Sequence, residues 1–329
     1  MKYINGLVVK LYNHIISTRW INKNRKTRRR LRAALFHNIC YRCRACMGSK
    51  NPDRVFYVIR CPQENMGLFA VINYIVYHLK IAEKEGYEPA IDWKYYPNKY
   101  FSEDENVGKI NAWELFFEQP SDIDIDEVYK SKNVEMSAGD WEASAFKEFS
   151  DREELLVSHR VFEKCIHLNE RMQRLVNEEA TRVGIDSCRV LAVKIRGTDF
   201  ITARPEDHSQ VLTVEGTSEV IDEKSAEWGG FDRIYLATED VDILRFMKDK
   251  YGAKLFYTDG NAYATTDVGN NWLSEMYDAG SIDKIADMEV YLVTTYVLAK
   301  ADYLIAPAVG GTLGAMRIKG EYKQIYIAR

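Results

Sequence analysis

Arg189-Val-Leu-Ala-Val-Lys-Ile-Arg196-Gly-Thr-Asp199-Phe200 decides how the rest of the chain is read. An apolar, β-branched run of strand length stops abruptly at Arg196, Gly197, Thr198 and Asp199. A strand buried on both faces of a parallel sheet has this composition, with charge delivered only at its carboxyl end. Ligands of open α/β sheets bind in the crevice beyond those ends. Arg196 offers a planar donor fork that suits phosphate oxygens, and Gly197 lets backbone approach closely. A surface Arg–Asp pair closing a turn is the competing reading of the same residues.

The flanking sequence repeats the pattern. Arg233-Ile-Tyr-Leu-Ala-Thr-Glu239-Asp240 reads as a second strand ending in two acids, followed by helical spacing from Val241 to Tyr251. Ala253–Tyr257 is a third strand. Asp283–Lys300 places Ile285, Met288, Leu292, Val293, Tyr296 and Val297 on one helix face. Asp302–Ala306 is a fourth strand, leading into Pro307-Ala-Val-Gly310-Gly311-Thr312 and a short helix, and Lys323–Ala328 is a last strand. Strands alternating with helices predict a parallel, doubly wound sheet. A glycine turn opening a helix at Gly310, Gly311 and Thr312 suits a phosphate, though tight strand–helix turns use glycine for their own sake.

These residues resemble the fucosyltransferase superfamily of nodulation-factor and core α-1,6 enzymes, bacterial α-1,2 enzymes and protein O-fucosyltransferases. Lys194-Ile-Arg196-Gly-Thr-Asp199 is similar to the family's first motif. Tyr235–Asp240 is similar to its second and Ala301–Thr312 to its third, so the resemblance covers roughly Cys188 to Arg329. It implies a GT-B-like α/β fold, two Rossmann-like domains facing across a cleft, with GDP-fucose as donor and no metal or other cofactor. The diphosphate contact falls by resemblance to Arg196. Donor contacts are expected from Lys194, Thr198, Glu239, Asp240, Gly310, Gly311 and Thr312. Asn65 and Gly67 join them because Tyr57–Phe69 resembles the family's first strand and glycine-bearing loop; an ordinary strand–helix turn is the alternative. Lys194 stands where the family has His, and Gly197 where it often has a second Arg.

At 329 residues the chain is long enough for two domains. A formal charge of −4 conceals a division: residues 1–50 hold 13 Lys and Arg with no acid, while the remainder holds 32 basic and 49 acidic residues. We expect a basic helical arm at 1–50, an acceptor-side α/β domain at 51–185 and a nucleotide-sugar domain at 186–329. In the arm, Ile4, Leu7, Val8, Leu11 and Ile15 recur at helical spacing beside Arg19–Arg32, a composition for an anionic membrane surface. Nucleic acid and a solvated tail are the alternatives, nucleic acid the less favoured. Lys10, Asn13 and His14 interrupt the run short of a spanning helix and no signal-peptide core follows, so a cytoplasmic place, peripheral to the inner membrane face, is expected. Cys40, Cys43 and Cys46 have CxxC spacing but lack a well-spaced fourth ligand, and Arg42 and Arg44 between them suggest one side of a basic helix. Free thiols are expected, and no metal.

The chemistry implied is inverting transfer of a sugar to a glycan hydroxyl, needing a base, positive charge for the departing diphosphate, and alignment. Arg196 is the leaving-group residue. Asp199, Glu206, Asp207 and His208 are candidate bases, Glu206 and Asp207 preferred, and Asp199 has holding Arg196 as its alternative role. Asp240 has capping the next helix as its alternative. Asp122-Ile-Asp-Ile-Asp126 reads as a turn, not a metal motif. Trp93, Tyr95, Tyr96, Tyr100, Phe101, Trp113, Phe116 and Phe117 offer stacking surface for an acceptor sugar, or core. A fucosyl acceptor in a surface polysaccharide or O-antigen unit, lipid-linked, is the leading expectation. Another nucleotide sugar, or a non-catalytic glycan- or nucleic-acid-binding protein, are the alternatives.

Overall fold

The computed structural model describes residues 2–3, 6–18, 27, 30, 42–60, 66–96, 106–138, 144–197, 212–260 and 283–328. The chain divides into two compact units, Met1–Ala143 with Arg160–Asn169, and Ser144–His159 with Glu170–Arg329. Each contains a five-stranded sheet.

In the first unit the strands are β1 (Lys2–Tyr3), β2 (Cys43–Ala45), β3 (Lys50–Ile59), β4 (Glu88–Ile91) and β5 (Ser131–Met136), in the order β1-β2-β5-β3-β4. All pairs are parallel except β2 with β5. Helix α1 (Gly6–Ile16) precedes β2, α2 (Leu68–Glu85) links β3 to β4, and the single turn α3 (Ile125–Val128) precedes β5. Val9, Cys43, Ala45, Met47, Phe56, Val58, Val134 and Met136 form one buried cluster, so the start of the chain is built into this core. That corrects the expectation of a basic helix through Arg42 and Arg44. They flank a strand residue instead, and both bond the carboxylate of Glu135, which is fully buried. The acidic run, read as a turn and an exposed edge, bends at Asp122 and Ile123 and then opens α3, which Asp124 caps by accepting from the Glu127 amide. Trp93, Tyr96, Trp113, Phe116 and Phe117 are buried, which makes these aromatics core rather than sugar platform. Tyr100 and Phe101 lie outside the described residues.

At the strand ends of this unit Arg60 and Asp92 are both buried. Arg60 donates to the Tyr96 hydroxyl (3.1 Å) and the Ser137 carbonyl (3.3 Å). Asp92 accepts from the Tyr129 hydroxyl (2.6 Å) and from the amides of Lys94 and Tyr95. Burial nevertheless raises the Asp92 carboxyl to about 6.

The stretch Val161–Val183 reads as helical in the sequence, and two helices occupy it: α4 (Arg152–Cys165) and α5 (Glu170–Val183). Between them the backbone turns to bond elsewhere. Glu118 donates to the His167 carbonyl and Asn169 to that of Phe116, which takes those groups out of any helical ladder.

The second unit contains β6 (Val190–Lys194), β7 (Arg233–Ala237), β8 (Leu255–Tyr257), β9 (Tyr303–Pro307) and β10 (Gln324–Ala328). All its strand pairs are parallel, in the order β10-β9-β6-β7-β8. The doubly wound expectation is met. Every residue of β6 is buried, as its unbroken apolar run requires. Helix α6 (Val214–Glu227) connects β6 to β7 and α7 (Val241–Tyr251) connects β7 to β8. Both cover one face, where Ile221, Ile243 and Met247 meet Leu191, Val193, Leu236 and Ile305. Each such buried aliphatic contributes roughly 1.5–3 kcal/mol. Helix α8 (Lys284–Lys300) precedes β9, and α9 (Gly310–Lys319) leads to β10. Thr213, Asp240 and Asp283 cap α6, α7 and α8 with side-chain oxygens. A buried pair braces the same unit: Arg317 donates to both carboxylate oxygens of Glu148 at 2.7 and 2.6 Å, and Ser158 donates to Glu148 as well.

Candidate functional site: an anion cradle at the strand crossover

From β6 the chain runs outward through β7 to β8, then returns past β6 to β9 and β10. Neighbours β6 and β9 therefore lead away in opposite directions, and the crevice at their carboxyl ends is where such sheets hold ligands. Lys194, Ile195, Arg196 and Gly197 leave β6 at that point, and Ala308, Val309 and Gly310 leave β9.

The exit of β6 is held by one carboxylate. Ile195 still donates to the Ala237 carbonyl at 3.0 Å, which extends the ladder with β7. Beyond it, Oε1 of Glu239 lies 3.1 Å from Nη1 of Arg196 and accepts from the Gly197 amide at 3.2 Å. Arg196 and Glu239 keep 19% and 16% of their side-chain surface exposed, so the guanidinium is held in place yet reachable. Gly197 answers a steric need. A Cβ there would stand 2.5 Å from Cβ of Asp240 and 2.7 Å from Cδ1 of Ile243. A second arginine at this position, as in the resembling motif, has no room.

Lys194 is 4% exposed, with Nζ 5.1 Å from the ring centroid of Tyr291 on α8. Burial pulls the ammonium down to about 8; Glu239 opposes the fall and Arg196 adds to it. The start of α9 completes the surroundings. A Cβ at Gly311 would meet the Tyr291 hydroxyl at 2.5 Å and Cε of Lys194 at 3.2 Å, so the glycine makes space for lysine and tyrosine together. Val309, the N-cap, supplies no side-chain bond to the first amides of α9. Thr312 is fully buried, and its Oγ1 has no hydrogen-bond partner among the described residues. Among the described residues, the first amides of α9, two cations and a hydroxyl without a partner are groups that can donate to a compact anion. A small pocket at the same strand ends is lined by Lys194, Ile195, Leu212, Thr217, Pro307 and Ala328.

Of the residues expected from sequence, Lys194, Arg196 and Glu239 come together, with Gly311 against Lys194. Asp240 does not present itself as a donor contact. It is 1% exposed and accepts from the amides of Asp242 (2.9 Å) and Ile243 (3.1 Å), the capping alternative. Gly67 is the N-cap of α2 in the first unit, with open space where a side chain would be. Asn65, Thr198, Asp199, Glu206, Asp207 and His208 lie outside the described residues. Tyr291 was not singled out; an aromatic on an already apolar helix gives no separate signal. No group of three or more His, Cys, Asp or Glu that could hold a metal occurs among the described residues.

No protein-family model matches this chain, and the curated proteins give no match. Solved structures do. NodZ alpha-1,6-fucosyltransferase co-crystallised with GDP aligns at a TM-score of 0.51 with 15% identity, over 80% of this chain and 92% of that one. The fucosyltransferase NodZ from Bradyrhizobium aligns at 0.46 with 13% identity over the same shares. Arabidopsis thaliana FUT1 in complex with GDP aligns at 0.47 with 10% identity, over 85% of this chain and 72% of that one. The first of these establishes a shared fold, the mixed α/β architecture with parallel sheets that the sequence motifs imply.

Proposed function

We propose that this chain is a glycosyltransferase that moves fucose from GDP-fucose to a glycan hydroxyl, by an inverting route that needs no metal. The observation that carries the reading is the cation pair at the crossover of the second sheet: Lys194 packed against Gly311 at the start of α9, and Arg196 held by Glu239 where β6 ends. A nucleotide diphosphate is the anion such a site fits, because it presents several acceptor oxygens to donors already held in place. The neighbour that shares the fold was crystallised with GDP, which supports the choice of base.

In this reading Arg196 and Lys194 neutralise the charge that grows on the diphosphate as the sugar leaves. Glu239 keeps the guanidinium and the Gly197 amide in register, so the donors do not have to reorganise when charge develops. A carboxylate of the 199–207 stretch, Glu206 or Asp207, takes the acceptor proton. A lipid-linked surface polysaccharide or O-antigen unit is the acceptor to try first.

Calorimetry with GDP, UDP and GDP-fucose tests the reading. GDP should bind, and Arg196→Ala should weaken it tenfold or more, the loss of about 1.5–3 kcal/mol expected for a charged hydrogen-bond partner. Binding of UDP alone would transfer the reading to another nucleotide sugar. Binding of neither nucleotide would overturn it.

A further inference from the structure

We infer that the outward face of α1 docks this protein onto an anionic lipid surface. The helix has two apolar sides. Val9, Tyr12 and Ile16 point inward, each at 1% exposure or less, and fix it to the first unit. The other side carries Leu7, Val8 and Leu11 at 69%, 40% and 54% exposure. Among the described residues only Ile110 and Ile325 are other large hydrophobics so exposed, at 37% and 38%, so most of this surface lies on one helix. At 100° per residue Leu7, Leu11, Ile15 and Val8 span an arc of about 100°, with exposed Lys10 and His14 along its flank. An aliphatic arc edged by basic groups is the outline of a helix that lies in a lipid interface.

Charge selects the occupant. No acidic residue occurs before Asp53, and residues 1–50 hold 13 Lys and Arg. Among the described residues, Arg42 and Arg44 pair with Glu135, and Lys50 with Glu127 at 2.7 Å. The other ten all fall between Lys2 and Arg32 in the sequence, the stretch that contains α1. Ten basic residues without one acid in the same short stretch of sequence as the exposed leucines favour a surface of opposite sign over a second copy, each basic group near such a membrane strengthening attachment. No helix among the described residues is long and apolar enough to cross a bilayer, so the contact is lateral.

The test uses the full chain with vesicles of 30% phosphatidylserine in phosphatidylcholine, and with phosphatidylcholine alone. Co-sedimentation should occur with the first, fall at least tenfold in 0.5 M KCl, and be near absent with the second. The Leu7→Ser/Leu11→Ser variant should lose at least tenfold in partitioning while its circular dichroism and GDP affinity match the parent, because both side chains stand outside the core. A Leu11→Trp probe should shift its fluorescence to the blue on anionic vesicles. Unchanged sedimentation of the double serine variant would overturn the inference, leaving charge alone as the anchor. So would concentration-dependent dimerisation that the same variant abolishes without any vesicle binding, since the face would then meet a second copy. The outcome is independent of the nucleotide proposed for the cradle.

Discussion

Replacing Lys194 by methionine should make the unliganded protein more stable and a poorer nucleotide binder. The side chain is 4% exposed, and burial lowers its ammonium from 10.5 to about 8. At 1.36 kcal/mol for each tenfold change, keeping that charge at pH 7 costs the folded state about 3 kcal/mol relative to the unfolded chain. Methionine has similar length and fills the same space beside Tyr291, so a gain of about 1–3 kcal/mol is expected at pH 7. The pH dependence provides a second check. Between about 8 and 10.5 the unfolded chain still holds the lysine proton and the folded chain has released it, so parent stability rises with pH across that interval. The advantage of Lys194→Met should therefore be full at pH 7 and largely gone by pH 10. Urea unfolding of both proteins at the two pH values reads the difference directly. Calorimetry should find GDP affinity reduced tenfold or more, and the parent's own affinity falling as pH passes 8. A variant less stable than the parent at pH 7, or a gap that ignores pH, would refute the argument.

Gly311→Ala should displace Lys194 or Tyr291, since the new methyl meets them at 3.2 and 2.5 Å; nucleotide titration should register a loss while Thr312→Val, confined to one hydroxyl, weakens binding less. Glu148→Gln removes the carboxylate charge that both bonds of the buried Arg317 meet and should cost about 3–5 kcal/mol in urea unfolding, with the GDP affinity of the folded protein unchanged. Asp240→Ala removes the α7 cap and should cost about 0.5–2 kcal/mol by the same measurement. Asp92 titrates the first unit in the opposite sense to Lys194. Below about 6 the folded chain holds a carboxyl proton that the unfolded chain releases down to about 3.8, so stability falls as pH rises through that interval. Relative to Asp92→Asn, the parent should lose ground between pH 4.5 and pH 7.5.

Much of the second sheet was legible because its inner strands β6, β7 and β9 are buried almost end to end and therefore nearly uninterrupted in hydrophobicity. The β6 run ends where its charge begins, and the helix read as Val241–Tyr251 has those bounds. The chemistry at the strand ends was legible only as residue types. That Glu239 would serve Arg196 and the Gly197 amide at once depends on the β6–β7 register, which pairs residues 43 positions apart. Gly197 reads in sequence as a departure from a motif, and only the nearness of Asp240 and Ile243 gives its reason. The beginning of the chain misled for a different cause. Ile4, Leu7, Val8, Leu11 and Ile15 were read as a face for a membrane surface, and that Val9, Tyr12 and Ile16 enter the core of the first unit was not read. A helix apolar on two sides has no single stripe for periodicity to find. Arg42 and Arg44 looked like helical basicity because the buried acid that requires them is about 90 positions away.

The pairing of β2 with β5 bears on how this protein should be produced. A tract rich in arginine and free of acid invites removal as a dispensable tail when an expression clone is shortened. Cutting at residue 50 would take away β1, α1 and β2 together. Strand β5 would then become a raw sheet margin, with Val134 and Met136 losing their cover and Glu135 stripped of both arginines. An uncovered margin of that kind recruits other chains, so the trimmed product should collect in inclusion bodies.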